Sequence, residues 1–178
     1  HALGNCTEML QLNKIIKKYK LILIEDTCEA LGSKYKNRYL GTFGSLSSFS
    51  FYFSHHITSG EGGMILCKNI NDYKILLSLR SHGWSREIDI VENKKKTDFK
   101  RLFNFVNLGY NLRMTDIQAS LLYLQSKKID NYRINRLYNY RLIHKVFSQD
   151  DFIKKNVSLI PNRKNREISW FNFPIILK

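Results

Sequence analysis

Cysteine is scarce and unpatterned in this chain. Cys6, Cys28 and Cys67 are odd in number and show no CxxC or Cys/His ligand spacing. This argues against a disulfide framework and against a structural zinc site; no metal is expected. No apolar run comes near the roughly 20 residues that cross a bilayer. The opening His1-Ala2-Leu3-Gly4 has neither an initiator Met nor the basic-then-apolar order of a signal peptide. Both ends read as cut, the second on the apolar run at residues 171–177, so a piece of a longer cytoplasmic protein is expected. Internal repeats and low-complexity tracts are missing too. Acid is in short supply: 15 acidic residues face 29 basic ones, for a formal charge of +14.

What is present is globular in character. The 178 residues are 43% hydrophobic and 13% aromatic, enough to bury a core and unlike a disordered segment. The basic excess gathers at Lys17-Lys18-Tyr19-Lys20, at Lys94-Lys95-Lys96 with Lys100-Arg101, and at Arg163-Lys164-Asn165-Arg166. A basic nucleic-acid-binding domain is one reading of these clusters. However, no nucleic-acid module is recognisable, and lysine is abundant everywhere alongside Asn and Ile. Solvated faces, with attraction for anionic small substrates, explain the charge more simply.

Hydrophobic periodicity suggests helices and strands in α/β order. Thr7 can cap a helix to Tyr19 with Leu12, Ile15, Ile16 and Tyr19 on one face. Leu21-Ile22-Leu23-Ile24 is a continuous apolar run suited to a parallel strand buried on both faces, closed by Glu25-Asp26. Ser47 to Phe53 and Met64 to Cys67 read as further strands, and Asp72 to Arg80 as a helix. Trp84 to Lys100 is polar and aperiodic, a surface loop. A long helical pattern starts at Thr115-Asp116, with Ile117, Leu121, Leu124, Ile129, Tyr132 and Leu137 as its apolar stripe and a break between 126 and 131. Residues 150–165 read as a connection into a strand at 169–177.

The chemistry-bearing residues sit at the ends of these elements. Asp26 closes a strand, where ligand crevices of open α/β sheets lie. It is either a structural cap or ion-pair member, or the partner of a protonated ring nitrogen. Glu29 lies three residues on. Phe49 to Gly63 reads FSFYFSHHITSGEGG: an aromatic strand, two adjacent histidines and a Gly-Glu-Gly-Gly turn that needs positive φ. Ser50 and Thr58 can bind phosphate oxygens or be satisfied by backbone. On a strand, His55 and His56 would point to opposite faces, so only one enters a site. Asn111 and Arg113, in GYNLRMTD, are surface residues or binders of anionic oxygens.

Taken in order, these segments resemble the DegT/DnrJ/StrS sugar aminotransferase family of pyridoxal-phosphate enzymes. The resemblance runs from the His-x-x-Gly of His1 and Gly4 through IEDTCEALGSKY, LGTFG, FSFYFSHHITSGEGG and LRSHG to GYNLRMTD. It implies an α/β, fold-type I aminotransferase-like architecture, with a mainly parallel sheet flanked by helices. Residues 1–148 would be part of the cofactor-binding large domain. Residues 149–178 would be the connection and first strand of a small C-terminal domain. Asp26 would pair with the cofactor's pyridine nitrogen, Glu29 would lie near its ring, and Ser50 would hold its phosphate. Asn111 would reach the phosphate of a neighbouring subunit's cofactor, implying a homodimer with shared sites. Arg113 would lie on the sugar-nucleotide side, with His82, Trp84 and Arg86 approaching the sugar.

His55 departs from the aminotransferase pattern, which has at this position the lysine that binds pyridoxal phosphate covalently. Imidazole cannot form that Schiff base but can act as a general base near neutral pH. The change resembles the family's dehydratase branch, which uses pyridoxamine phosphate to remove the 3-hydroxyl of 4-keto-6-deoxy nucleotide sugars. Such enzymes serve deoxysugar and lipopolysaccharide biosynthesis, with glutamate as amino donor. The absence of cysteine from residues 84–108 sets aside the branch's iron–sulfur cluster and points to its cluster-free, GDP-sugar members. The alternatives are formation of a 4-amino sugar, or a homologue without catalysis.

Overall fold

The structure is a computed structural model describing residues 1–91, 103–161 and 163–178; side chains are described for all of these except 89–91. It divides into one compact unit formed by residues 1–66 with 116–178, and a second formed by residues 67–115.

In the first unit, helix α1 (Met9–Tyr19) precedes strand β1 (Ile24–Asp26), which pairs in parallel with β4 (Leu46–Ser50). The register sets Ile24 beside Leu46, Glu25 beside Ser47 and Asp26 beside Ser48. Strand β5 (Gly63–Cys67) completes the order β1-β4-β5. Between β1 and β4 the chain makes a small antiparallel ribbon, β2 (Lys34–Tyr35) and β3 (Arg38–Tyr39). The ribbon is extended by β7 (Arg166–Glu167), which pairs with β2. Cys6, Met9, Ala30, Tyr35 and Leu40 form a core beneath it, with Leu12, Leu23 and Phe43 packed at its margin.

Several expectations are corrected here. Helix α1 begins at Met9 with Glu8 at its N-cap and no side-chain cap, so Thr7 does not start it. Its inner face is Met9, Leu12 and Ile16, whereas Ile15 and Tyr19 are exposed. Strand β1 starts only at Ile24, and its apolar run is not buried on both faces: Ile22 is 78% exposed. Among the described residues β1 also has β4 as its one neighbour, at the edge of its sheet. Strand β4 stops at Ser50, so the histidine pair lies in a turn, closed by His55 N–H donating to Tyr52 O at 3.0 Å. Strand alternation therefore does not govern the two rings.

The expected long helix is two, α4 (Asp116–Ser126) and α5 (Ile129–Phe147), broken where the pattern placed the break. The apolar stripe of α4 is not core: Ile117, Leu121 and Leu124 are exposed and the helix buries none of its described residues. On α5, Tyr140 stacks on Trp170 at 4.0 Å with a 7° interplanar angle, and Ile168 completes that second core. The connection at 150–165 contains helix α6 (Asp151–Asn156), capped by the Asp150 carboxylate accepting from Ile153 N–H, and strand β6 (Val157–Leu159). In place of a strand from 169, only β8 (Ile175–Leu177) forms, antiparallel to β6. Ser169 is engaged sideways instead: its N–H donates to Ser33 Oγ at 2.8 Å, and its carbonyl meets His56.

The second unit holds α2 (Ile70–Arg80), capped by Asn69 Oδ1 accepting from Asp72 N–H, and α3 (Arg86–Val91). The latter replaces part of the loop expected over residues 84–100, of which 92–100 lie outside the described residues. LRSHG and GYNLRMTD, distant in sequence, pair: His82 N–H donates to Tyr110 O and Tyr110 N–H to Leu79 O, both at 2.7 Å. Gly83 must lack a side chain there, since a Cβ would fall 1.7 Å from Asn107 O at a φ of +85°. No helix among the described residues is long and apolar enough to cross a membrane.

Candidate active site

Two neighbouring carboxylates at the end of β1 go to opposite fates, as strand alternation requires. Glu25 is 3% exposed and points inward. Its Oε1 accepts from the N–H groups of Phe43 and Gly44, each at 2.6 Å, and its Oε2 from Gly41 N–H at 2.9 Å. His1 Nε2 lies 3.0 Å from Oε2. These four contacts match the four lone-pair positions of a carboxylate, which is how a charge tolerates such burial.

Asp26 faces outward. Its Oδ1 accepts from Cys28 N–H at 3.1 Å and from Ser48 O–H at 3.2 Å. Hydrogen bonding from the Cys28 side chain and N–H holds the Asp26 carboxyl below the usual carboxylate range; burial opposes it, and Ser48 adds a smaller lowering effect. Asp26 is thus a stable anion. The Cys28 thiol beside it is pushed up, by burial first and by Asp26 second.

Ser50 ends β4, two residues past Ser48 and so on the same face. Its hydroxyl oxygen accepts from Tyr52 N–H at 3.2 Å. Because β1 and β4 are parallel, Asp26 and Ser50 both lie at the carboxyl edge of the sheet, where α/β proteins bind ligands. The turn carrying His55 leaves from that same edge. The His55 ring stands edge-on to Tyr52 (centroids 5.8 Å apart) and to Phe171 (5.2 Å). Its Nδ1 is buried and has no hydrogen-bond partner among the described residues.

The companion His56 is structural. It is 5% exposed, and its Nε2 lies 2.8 Å from Ser169 O, a carbonyl acceptor, so Nε2 carries the hydrogen. Burial pushes its pKa down to about 4. Thr58 is likewise used by backbone, donating to Phe51 O and accepting from Gly60 N–H. Gly60 has a φ of +82°, as the glycine turn required.

Glu29 Oε2 accepts from Leu3 N–H at 2.7 Å, tying down an N-terminal turn in which Leu3 has a φ of +56°. Asn111 and Arg113 belong to the second unit. Asn111 bridges to Ser81, Arg113 donates to Asn111 Oδ1 at 3.3 Å, and both are exposed. Nearby in that unit the Arg86 guanidinium sits 4.8 Å above the Trp84 ring, which packs against His82 and Phe105.

Sequence reasoning missed Glu25 and Ser48. The alternation that exposes Asp26 necessarily buries Glu25, and Ser48 precedes Ser50 by one strand period. Both signals were available, but their partners were not.

Known proteins resemble this chain along its whole length. The model of the DegT/DnrJ/EryC1/StrS aminotransferase family matches residues 1–178. GDP-4-keto-6-deoxy-D-mannose 3-dehydratase of Escherichia coli O55:H7 is 35% identical over 182 residues, covering 100% of this chain and 45% of that protein. The lipopolysaccharide biosynthesis protein RfbH of Salmonella typhimurium is 34% identical, over 100% of this chain and 43% of its own. Among solved structures, the E. coli GDP-4-keto-6-deoxy-D-mannose-3-dehydratase with bound hydrated PLP superimposes with a TM-score of 0.83 at 32% identity, over 99% of this chain and 45% of that one. The chain therefore spans a little under half the length of the relatives it matches. From the family match along its whole length, the fold and the ordered motifs, the chain belongs to the DegT/DnrJ/EryC1/StrS aminotransferase family and carries its aminotransferase-like fold.

Proposed function

We propose that the protein acts in the 3-dehydration of a 4-keto-6-deoxy nucleotide sugar, GDP-linked, with pyridoxal/pyridoxamine phosphate held non-covalently. The observation that carries this reading is an imidazole, His55, in the turn leaving the β4 edge, with no lysine anywhere from Phe51 to Gly63. Relatives named as GDP-4-keto-6-deoxy-D-mannose 3-dehydratases support it.

The residues present fit the cofactor. Asp26 offers an anion at a strand end, suited to a protonated ring nitrogen. Ser50 offers a hydroxyl for phosphate. When bound as pyridoxamine phosphate, the cofactor would supply an amine for the sugar's C4 ketone and a conjugated ring able to take up the electron pair left by removal of a carbon-bound proton and to give it up as the C3 hydroxyl departs. Asp26 keeps the ring nitrogen protonated. His55, whose buried Nδ1 is unpartnered, takes up a carbon-bound proton through Nε2 as general base and can return it to the departing hydroxyl.

The remaining roles belong to the same reading. Glu29 lies near the ring, Asn111 binds the phosphate in a neighbouring subunit of a homodimer, and Arg113 serves the nucleotide side. Glutamate restores the amine, no iron–sulfur cluster takes part, and the protein works in the cytoplasm in deoxysugar and lipopolysaccharide biosynthesis. Residues 1–148 form part of the large domain, and 149–178 lead into the small one. The test is incubation with pyridoxamine phosphate, glutamate and GDP-4-keto-6-deoxymannose, followed by mass spectrometry. Loss of the 3-hydroxyl is expected; a 4-amino sugar would instead establish transamination and overturn the proposal.

A further inference from the structure

The geometry points to Glu25 as a positioning residue for Asp26, held by a cradle of loop amides and by His1. This deepens the functional proposal and rests on its reading of Asp26 as the partner of the cofactor's ring nitrogen. Glu25 touches neither Asp26's carboxylate nor the open face of the sheet. It acts through the backbone they share.

Three features bind Glu25 to Asp26's placement. First, the loop that Glu25 grips, through Gly41, Phe43 and Gly44, runs directly into β4. That strand carries Ser48, whose hydroxyl donates to Asp26 Oδ1. Second, the loop is fitted to this grip with little room for slip. A Cβ on Gly44 would fall 2.6 Å from Leu23 O, and Ser47 Oγ donates back to Gly41 O at 2.7 Å. Third, Thr7 N–H approaches His1 Nδ1 at 3.4 Å, so His1 Nε2 carries the hydrogen and donates to Glu25.

All four contacts therefore demand an acceptor. A carboxylate supplies four acceptor positions, whereas the isosteric amide of glutamine supplies two and turns an NH2 group against donors. The strand register that aligns Asp26 with Ser48 thus depends on a buried negative charge one residue away. A hydrophobic residue would fill the volume but leave three backbone amides unpaired.

The experiment compares three forms of the protein: unsubstituted, Glu25→Gln, and Met9→Ala. Met9 lies in the core against which Leu23 and Phe43 pack, so it serves as a control that loosens the packing under the cradle while leaving the Glu25 hydrogen bonds in place. Two quantities are read: the dissociation constant for pyridoxal phosphate, and the nitrogen-15 signal of ring-labelled cofactor, which reports protonation of the pyridine nitrogen. Glu25→Gln should raise the dissociation constant about 10- to 100-fold, the range seen when groups orienting a first ligand are removed. It should also move the nitrogen signal towards the unprotonated form. Met9→Ala should lower the melting temperature without moving that signal. If Glu25→Gln does not fold, His1→Ala, which removes one of the four donors, is read the same way and should give about a threefold or larger rise. A folded variant that matches Met9→Ala in both quantities would overturn the inference. Failure of the unsubstituted protein to bind pyridoxal phosphate would overturn the functional proposal itself, and this inference with it.

Discussion

Acidification from about pH 7 to about pH 5 should cost the folded protein on the order of 2 kcal/mol through His56 alone. In the unfolded chain this imidazole protonates near 6.5, whereas in the folded protein it resists until about 4. Between those values the unfolded state holds more protons, so stability rises with pH. It is fully present above 6.5 and drains away as pH falls towards 4. The cause is geometric. Nε2–H already donates to Ser169 O, so a second proton must go on Nδ1, which is buried with no acceptor. Arg136 and His55 also oppose the charge; the Ser169 carbonyl and Glu29 favour it without prevailing over burial. Above about pH 5 most carboxylates stay ionised in both states, so this window isolates histidine.

The assay is urea denaturation at both pH values for the unsubstituted protein and for His56→Gln. The glutamine amide retains a donor for Ser169 O and does not titrate. The variant should lose about 2 kcal/mol less than the unsubstituted protein across the window. Equal losses would refute the assignment of His56 as a neutral, buried strut.

Four other outcomes follow from the same geometry. His55→Lys places a primary amine in the turn and should yield a borohydride-reducible bond to pyridoxal phosphate, checked by mass spectrometry; His55→Ala should lose about 10²–10⁴-fold in dehydration rate. Asp26→Asn keeps an acceptor for Cys28 and Ser48 but removes the charge. Cofactor affinity should fall by about 1–2 kcal/mol, or roughly 5- to 30-fold, in a direct titration. Gly44→Ala forces a methyl against the Leu23 carbonyl, 2.6 Å from the ideal Cβ, and should destabilise by about 1–3 kcal/mol in urea.

Much of this protein was legible in its residue order. The break between α4 and α5, the strand ending at Asp26 and the sequence of motifs all follow from local rules of period, capping and turn chemistry. Local pattern failed where partners are remote. The run at 21–24 looked fit for burial on both faces, but burial of a face depends on what packs over it, and Leu21, Ile22 and Ile24 are exposed. His55 and His56 were distinguished by alternation, yet a turn holds them, and His56 is fixed by a carbonyl 113 residues away. Glu25 gives the clearest division. Its residue type and its inward direction are written in the sequence. Whether that buried charge is tolerable rests on amides 16 to 19 residues further on, and a backbone N–H belongs to every residue but proline, so nothing in the sequence marks those that the fold will bring to it.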